Sequence, residues 1–262
     1  RHVDPSMKGD VQKIDRQITR IEKKAIPFID FFVTLSKNVK DQFIEYYGVS
    51  PKKIKVIPPG IDLSRFMKKK KSLERPLFLR DKRVVLVVSR IAQDKNVLDA
   101  VKAFSLVKTK NAALVFIGPV VKDYFEKIKE FIRINKIKNV YFLGEKKDPE
   151  NYYPLGDIFV LPSRVEAFGL VLVEAQTSGL PCIGFKRDGK ETFTAVGEVV
   201  SNGENGFVVK TVEEMANKID LLLNSDSLRK RFSKNALIHS KRYSYNRMVG
   251  LLVGIAEDLR GL

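Results

Sequence analysis

The run Val84-Val85-Leu86-Val87-Val88 constrains this chain more than any other stretch. Five consecutive apolar residues do not alternate between a wet face and a dry one. They fit a parallel strand covered on both faces. Parallel neighbours need a crossover between them, and the sequence supplies crossovers. Segments of helical pattern at 97–108, 124–134 and 169–178 alternate with short apolar runs at 113–118, 140–144, 158–162 and 181–185. A short helical piece is expected at 150–155, a last strand at 206–209, and closing helices at 212–223, 227–239 and 245–259. This alternation predicts an α/β doubly wound parallel sheet. Ligands of such sheets sit outside the carboxyl ends of the strands, near the point where strand order reverses.

The segment before residue 58 reads differently. Ile14, Ile18, Ile21 and Ala25 recur at helical spacing over 11–24. A buried strand is expected at 28–35, then a helix at 38–47 ended by Gly48. Lys55-Val56-Ile57 runs into Pro58-Pro59-Gly60, a natural linker. The lysine run at 68–71 reads as a solvated loop. The expected domains are therefore 1–58, the end of one domain and its linker; 59–242, the sheet; and 243–262, a terminal helix. The chain opens on Arg1-His2-Val3-Asp4 without Met, as the inside of a longer reading frame would.

The net charge of +17 comes mainly from lysine. It fits a lysine-rich, soluble surface and, second to that, attraction to an anionic membrane or lipid acceptor. No zinc pattern or helix-turn-helix supports a nucleic-acid partner. No apolar run approaches the roughly 18 residues of a membrane span, and no signal-peptide pattern opens the chain. The single cysteine, Cys182, lies in an apolar run and reads as a core residue. These features predict a cytoplasmic location, with peripheral membrane association as a second expectation.

The candidate chemistry falls at the ends of expected strands. Arg90 and Lys95 follow the Val84–Val88 strand, and two cations there suit a diphosphate. Alone, they read equally well as solvated loop charges. Gly118 ends the next strand, where a glycine lets a ligand or another backbone approach closely, or simply makes a turn. Phe168 and Gly169 open a helix whose free amides would favour an anion. Glu174 lies five residues past Gly169, about 7.5 Å along the axis, a plausible offset between a diphosphate and a ribose diol. Glu166 precedes the helix. On spacing alone, these carboxylates read as a helix-start charge and a surface charge. Gly203-Glu204-Asn205-Gly206 reads as a structural turn. The sequence has no Asp-x-Asp, and its two histidines, His2 and His239, make no metal pair. It lacks a phosphate loop, a nucleophile elbow and a dinucleotide fingerprint.

Taken in order, Val56-Ile57-Pro58-Pro59-Gly60-Ile61-Asp62, Ser89-Arg90 with Lys95-Asn96, Pro162-Ser163, Glu166-Ala167-Phe168-Gly169-Leu170, Glu174-Ala175 and Gly179-Leu180-Pro181 resemble the retaining group 1 (family 4) glycosyltransferases. The resemblance covers about residues 30–260 and includes the family's Glu-x7-Glu signature at Glu166 and Glu174. It implies the Rossmann-like C-terminal half of a GT-B fold, with a remnant of the N-terminal domain. By it, Arg90, Lys95 and Glu166 would serve catalysis. Glu174, Phe168, Gly169, Leu170 and Gly118 would bind the donor, with Glu174 on the ribose. It implies a nucleoside-diphosphate sugar as substrate, a sugar, lipid or other hydroxyl acceptor, no metal and no cofactor. The chain departs from the family at 185–191, where a glycine-rich loop is usual, and in having only the end of an acceptor-side domain. Transferase and non-catalytic sugar-nucleotide module both remain open on the sequence.

Overall fold

A computed structural model of the protein describes residues 21–67 and 75–260. The lysine run at 68–71 and most of the expected helix at 11–24 lie outside the described residues. The chain separates into two compact units, residues 1–58 and 59–262.

The smaller unit holds two parallel strands, β1 (Phe32–Thr34) and β2 (Ile54–Val56), joined through helix α1 (Lys37–Tyr47). Ser36 caps α1 by accepting from the Val39 amide at 3.1 Å, and Gly48 ends it in the left-handed region. β1 is shorter than the expected 28–35. Residues 26–28 instead form a 3-10 turn with Pro27 in its first positions, where proline's fixed φ favours a turn over a ladder.

The larger unit opens with a short helix, α2 (Leu63–Met67), that no periodicity announced. Next come β3 (Arg83–Val88), α3 (Val97–Ser105), β4 (Ala112–Ile117), α4 (Lys122–Ile134) and β5 (Val140–Phe142). Two 3-10 turns span 149–155, followed by β6 (Ile158–Leu161), β7 (Val165–Glu166), α5 (Leu170–Thr177) and β8 (Cys182–Phe185). The chain continues through β9 (Phe193–Thr194), α6 (Val196–Val199), β10 (Gly206–Val209), α7 (Val212–Leu223), α8 (Asp226–Ser240) and α9 (Tyr245–Arg260). The main sheet is parallel throughout, in the order β10-β8-β6-β3-β4-β5. Counted from β3, that is the 3-2-1-4-5-6 order of a Rossmann sheet. The α/β expectation holds, and the order reverses between β3 and β6.

Burial explains the Val84–Val88 run. Val85 and Val87 pack with Val97, Val101, Phe104, Phe116, Ile219 and Phe232 on one face. Val84, Leu86 and Val88 pack with Val115, Phe159, Leu172, Val173 and Val196 on the other. Cys182 is fully buried in this second core, and burial pushes its thiol far above the ordinary range.

Two further features brace the sheet. Ile61 donates to the Tyr243 carbonyl at 2.9 Å and accepts from the Tyr245 amide at 3.2 Å, so the linker and the start of α9 hold each other. On the buried side, His239 of α8 meets the Gln176 Oε1 of α5 at 3.2 Å, while Gln176 donates to the Val199 carbonyl.

Gly118 at the end of β4 has φ +143°, and a Cβ there would stand 2.1 Å from the Ser89 carbonyl oxygen. The close approach expected of this glycine is thus made by the backbone after β3. Gly118→Ala should lower stability by about 3 kcal/mol in chemical denaturation. Burial and the neighbouring Arg242 lower the His239 pKa below the ordinary 6.5. The unfolded chain therefore takes up this proton first as pH falls. Stability should drop as pH falls from 6.5 toward the folded value, and His239→Gln should remove that part of the slope in urea midpoints measured across the range.

Candidate functional site

The loops that leave β3 and β6 face each other at the strand-order reversal, where the topology of a Rossmann sheet opens its ligand crevice. Lys95 sits in the β3–α3 loop, and Glu166 ends β7 beyond β6. Lys95 Nζ meets Glu166 Oε2 at 3.0 Å, with both side chains largely shielded from solvent. Two residues 71 positions apart in sequence, each singled out for the donor site, are thus in direct contact.

Local architecture fixes that contact. Asn96, next to Lys95, adopts φ 51°, a conformation asparagine tolerates better than most residues. Its Nδ2 donates to the Pro162 carbonyl at 3.1 Å and to Asp99 Oδ2 at 2.7 Å. Asp99, buried at the start of α3, also accepts from Arg164 Nη2 at 3.0 Å and pairs with Lys102 at 3.4 Å. Burial alone would raise the Asp99 pKa. Hydrogen bonds from Asn96 and Arg164, with the charges of Arg164 and Lys102, outweigh it and hold the carboxyl below the ordinary value. Arg164 stacks on the Phe185 ring at 4.6 Å, and its carbonyl accepts from the Phe193 amide. The two-residue ladder of β7 with β9 then orients Glu166. Asp99, Arg164 and this ladder escaped the sequence reading. Two-residue strands carry no period, and the Asp99–Arg164 pair spans 65 residues.

Gly169 stands at the N-cap of α5 with φ 89° and no side-chain cap, and a Cβ there would come within 3.4 Å of Glu166 Cγ. The helix start and Glu166 are therefore adjacent. The first turn of α5 carries no acidic residue, so its amide dipoles are free to favour an anion. Leu170 begins the helix half-exposed. Phe168 is buried, edge-on to the Tyr243 ring at 5.3 Å. Its ring serves the core, leaving only its backbone for a ligand.

Glu174, one turn into α5, is half-buried and accepts from the Tyr153 hydroxyl at 2.5 Å. Burial raises its pKa, opposed by the Tyr153 hydrogen bond and the charge of Arg65, while nearby Glu150 adds to the rise. No described contact joins Glu174 to Glu166 or Lys95. Arg90 is exposed and paired with Asp94 at 2.9 Å. Arg90 and Lys95, expected to act together, thus hold different carboxylates. The 185–191 departure forms its own turn, in which Asp188 Oδ1 accepts from the Lys190, Glu191 and Thr192 amides.

Residues 68–238 match the family described as glycosyl transferases group 1. The chain belongs to that family. Residues 5–65 match glycosyltransferase family 4. A capsular polysaccharide biosynthesis glycosyltransferase, CapM, of Staphylococcus aureus is 28% identical over 82% of this chain and 58% of its own length. A UDP-Gal:alpha-D-GlcNAc-diphosphoundecaprenol alpha-1,3-galactosyltransferase of Escherichia coli is 30% identical over 74% of this chain and 49% of its own. The chain spans about half the length of these curated relatives. Among solved structures, Anabaena Alr3699/HepE in complex with UDP and glucose superposes with a TM-score of 0.81 at 24% identity, over 93% of this chain and 67% of that one. That similarity establishes the fold, an α/β Rossmann-like fold of the GT-B kind.

Asp99→Asn should leave the Arg164 guanidinium without its carboxylate. A cost of about 2–3 kcal/mol is expected in denaturant midpoints at neutral pH. Because the wild-type Asp99 pKa is lowered, its contribution is present above the ordinary value of 3.8 and lost as pH falls through the folded value. The difference between variant and wild type should therefore close in acid.

Proposed function

We propose that this chain is the donor-side part of a glycosyltransferase that moves a hexose from a nucleoside-diphosphate sugar to an acceptor hydroxyl, with retention and without metal. The observation that carries the proposal is the meeting of Lys95, Glu166 and the uncapped start of α5 at the β3/β6 reversal. A diphosphate at that helix start would find amide dipoles and the Lys95 charge. Glu174 further along α5 would take the ribose diol, and Arg90 would add a second cation by leaving Asp94.

In the reaction, the bond from the anomeric carbon to the diphosphate oxygen breaks with its electron pair staying on oxygen. The acceptor oxygen bonds to the anomeric carbon on the same face, and its proton passes to the leaving phosphate. Lys95, Arg90 and the α5 amides would stabilise the charge gathering on the diphosphate. Glu166 would steady the positive sugar. Relatives named for alpha-linked glucosyl and galactosyl transfer support retention, and the UDP named with Alr3699/HepE supports a nucleotide donor. Relatives named for diacylglycerol and diphospho-undecaprenol support a lipid-linked acceptor, and the +17 charge suits an anionic membrane beside it. No helix among the described residues is long and apolar enough to cross a membrane.

A second reading is a module that binds a sugar nucleotide without transferring the sugar. Titration calorimetry with UDP, GDP and their hexose conjugates, followed by a transfer assay, separates the two. Binding with transfer supports the transferase, and binding without transfer supports the module. No binding contradicts both. Glu174→Ala should weaken nucleotide binding by about 1.5–3 kcal/mol, whereas Glu166→Ala should lower turnover more than affinity.

A further inference from the structure

Tyr153 lies outside the pairing of Lys95 with Glu166, yet it touches Glu174, the residue proposed to meet the ribose. It lies in the 3-10 turn Tyr153–Leu155, on the chain leading into β6. Its side chain is fully buried, against the Phe66 ring at 5.7 Å and the Phe159 ring at 5.9 Å. From that fixed position its hydroxyl reaches Glu174 Oε2 at 2.5 Å, on an element 21 residues away.

We infer that Tyr153 is a positioning residue for Glu174, and that through it the site selects ribonucleotides over 2′-deoxyribonucleotides. The inference rests on the proposed role of Glu174 at the ribose. A carboxylate on a helix can turn about its last torsion, a broad two-fold well. A donor that cannot itself move fixes the carboxylate plane. It occupies one of roughly four lone-pair directions and leaves the others in a set orientation. Two neighbouring ribose hydroxyls need two acceptor directions at once. A carboxylate free to rotate meets the pair less well, and loses most where both hydroxyls are present. The 2′-deoxy nucleotide, with one hydroxyl to place, gains less from the fixed plane.

Several charged and titratable groups face this pair. Arg65 of α2 is bound to Glu150 of the preceding 3-10 turn at 3.0 Å. Arg65 and Glu150 act on Glu174 from that side, and Cys182 of β8 acts on Tyr153. Burial raises the Tyr153 pKa well above 10, so the hydroxyl remains a donor at any assay pH. Its hydrogen bond opposes the burial that raises the Glu174 pKa. Removing the hydroxyl should move the Glu174 titration further up, an effect that a residue filling space alone would not produce.

Tyr153→Phe keeps the ring and removes only the donor. The full chain, as wild type and variant, would be titrated calorimetrically with UDP and GDP, their 2′-deoxy forms and inorganic pyrophosphate, across pH 5 to 8. Tyr153→Phe should bind the ribonucleotides on the order of tenfold more weakly. It should bind pyrophosphate as wild type does, show reduced ribose-over-deoxyribose preference, and lose affinity at a higher pH on acidification. Glu174→Gln should have no such acid limb. A Tyr153→Phe chain with wild-type preference and an unmoved acid limb would overturn the inference. Wild-type affinities equal for ribonucleotide, deoxyribonucleotide and pyrophosphate would overturn the Glu174 reading, and this inference with it. No binding of any of these ligands by the wild-type chain would overturn the donor-site proposal itself. The direction of the Glu174 pKa in Tyr153→Phe, read by carboxyl NMR without ligand, checks the hydrogen bond independently. A pKa no higher than wild type would contradict it.

Discussion

The reversal of strand order between β3 and β6 is the constraint on which the rest of this protein depends. Every strand of the sheet is parallel, so every strand delivers its following loop to the same edge. At most positions, adjacent loops lead into helices on the same face of the sheet, which cover them. Where the order reverses, the two loops diverge and leave a gap between them. The β3 loop brings Lys95 to that gap, and the chain after β6 brings Glu166 and the start of α5. The side chains that make the gap chemically useful follow β3 and β6, whose apolar residues are buried. Sheet stability and site geometry are therefore one property. The apolar residues of β3 hold Lys95 in place as surely as its ion pair does.

The charges around the gap are arranged in pairs rather than left open. Lys95 holds Glu166, Arg90 holds Asp94, Arg164 holds Asp99 and Arg65 holds Glu150. These pairs divide by burial. The Asp99–Arg164 pair is enclosed, supported by Asn96 and by the Phe185 ring, and it ties three loops together. The Arg90–Asp94 pair is exposed, and such a pair is worth at most about 1 kcal/mol, so an incoming diphosphate could take its guanidinium at little cost. Lys95–Glu166 is shielded about as well as Asp99–Arg164. A ligand anion near Lys95 would weaken its hold on Glu166 and free that carboxylate for another partner. Preorganised structure and exchangeable charge thus occupy adjacent positions in one crevice.

Much of the larger unit was legible in the sequence. The apolar runs at 84–88, 113–118, 158–162 and 181–185 each match a strand of the sheet to within a residue at either end, because burial on both faces leaves a continuous signature. Gly48, Gly169 and Gly203 all fall in the left-handed conformation at the ends or turns where they were expected. What was not legible depends on partners distant in the chain. Gly118 reads as a site of close approach for a ligand or a backbone, or as a simple turn, and the Ser89 carbonyl shows that a backbone passes close to it. The contacts of Tyr153 with Glu174 and of Arg164 with Asp99 join segments that no local pattern links. The β7/β9 ladder and α2 are too short to show a period. The family motif, in turn, picks out Glu166 and Glu174 without showing that one is held by a lysine and the other by a tyrosine.

The central claim is that a nucleoside diphosphate is held at the β3/β6 reversal. Backbone amide chemical shifts of the labelled chain, followed as UDP or GDP is added, test it most directly. The account predicts that the perturbed amides cluster at Arg90–Asn96, Glu166–Val171 and the residues around Glu174, while those at the opposite, amino edge of the sheet stay still. Perturbations confined to that amino edge, or absent at saturating nucleotide, would contradict it.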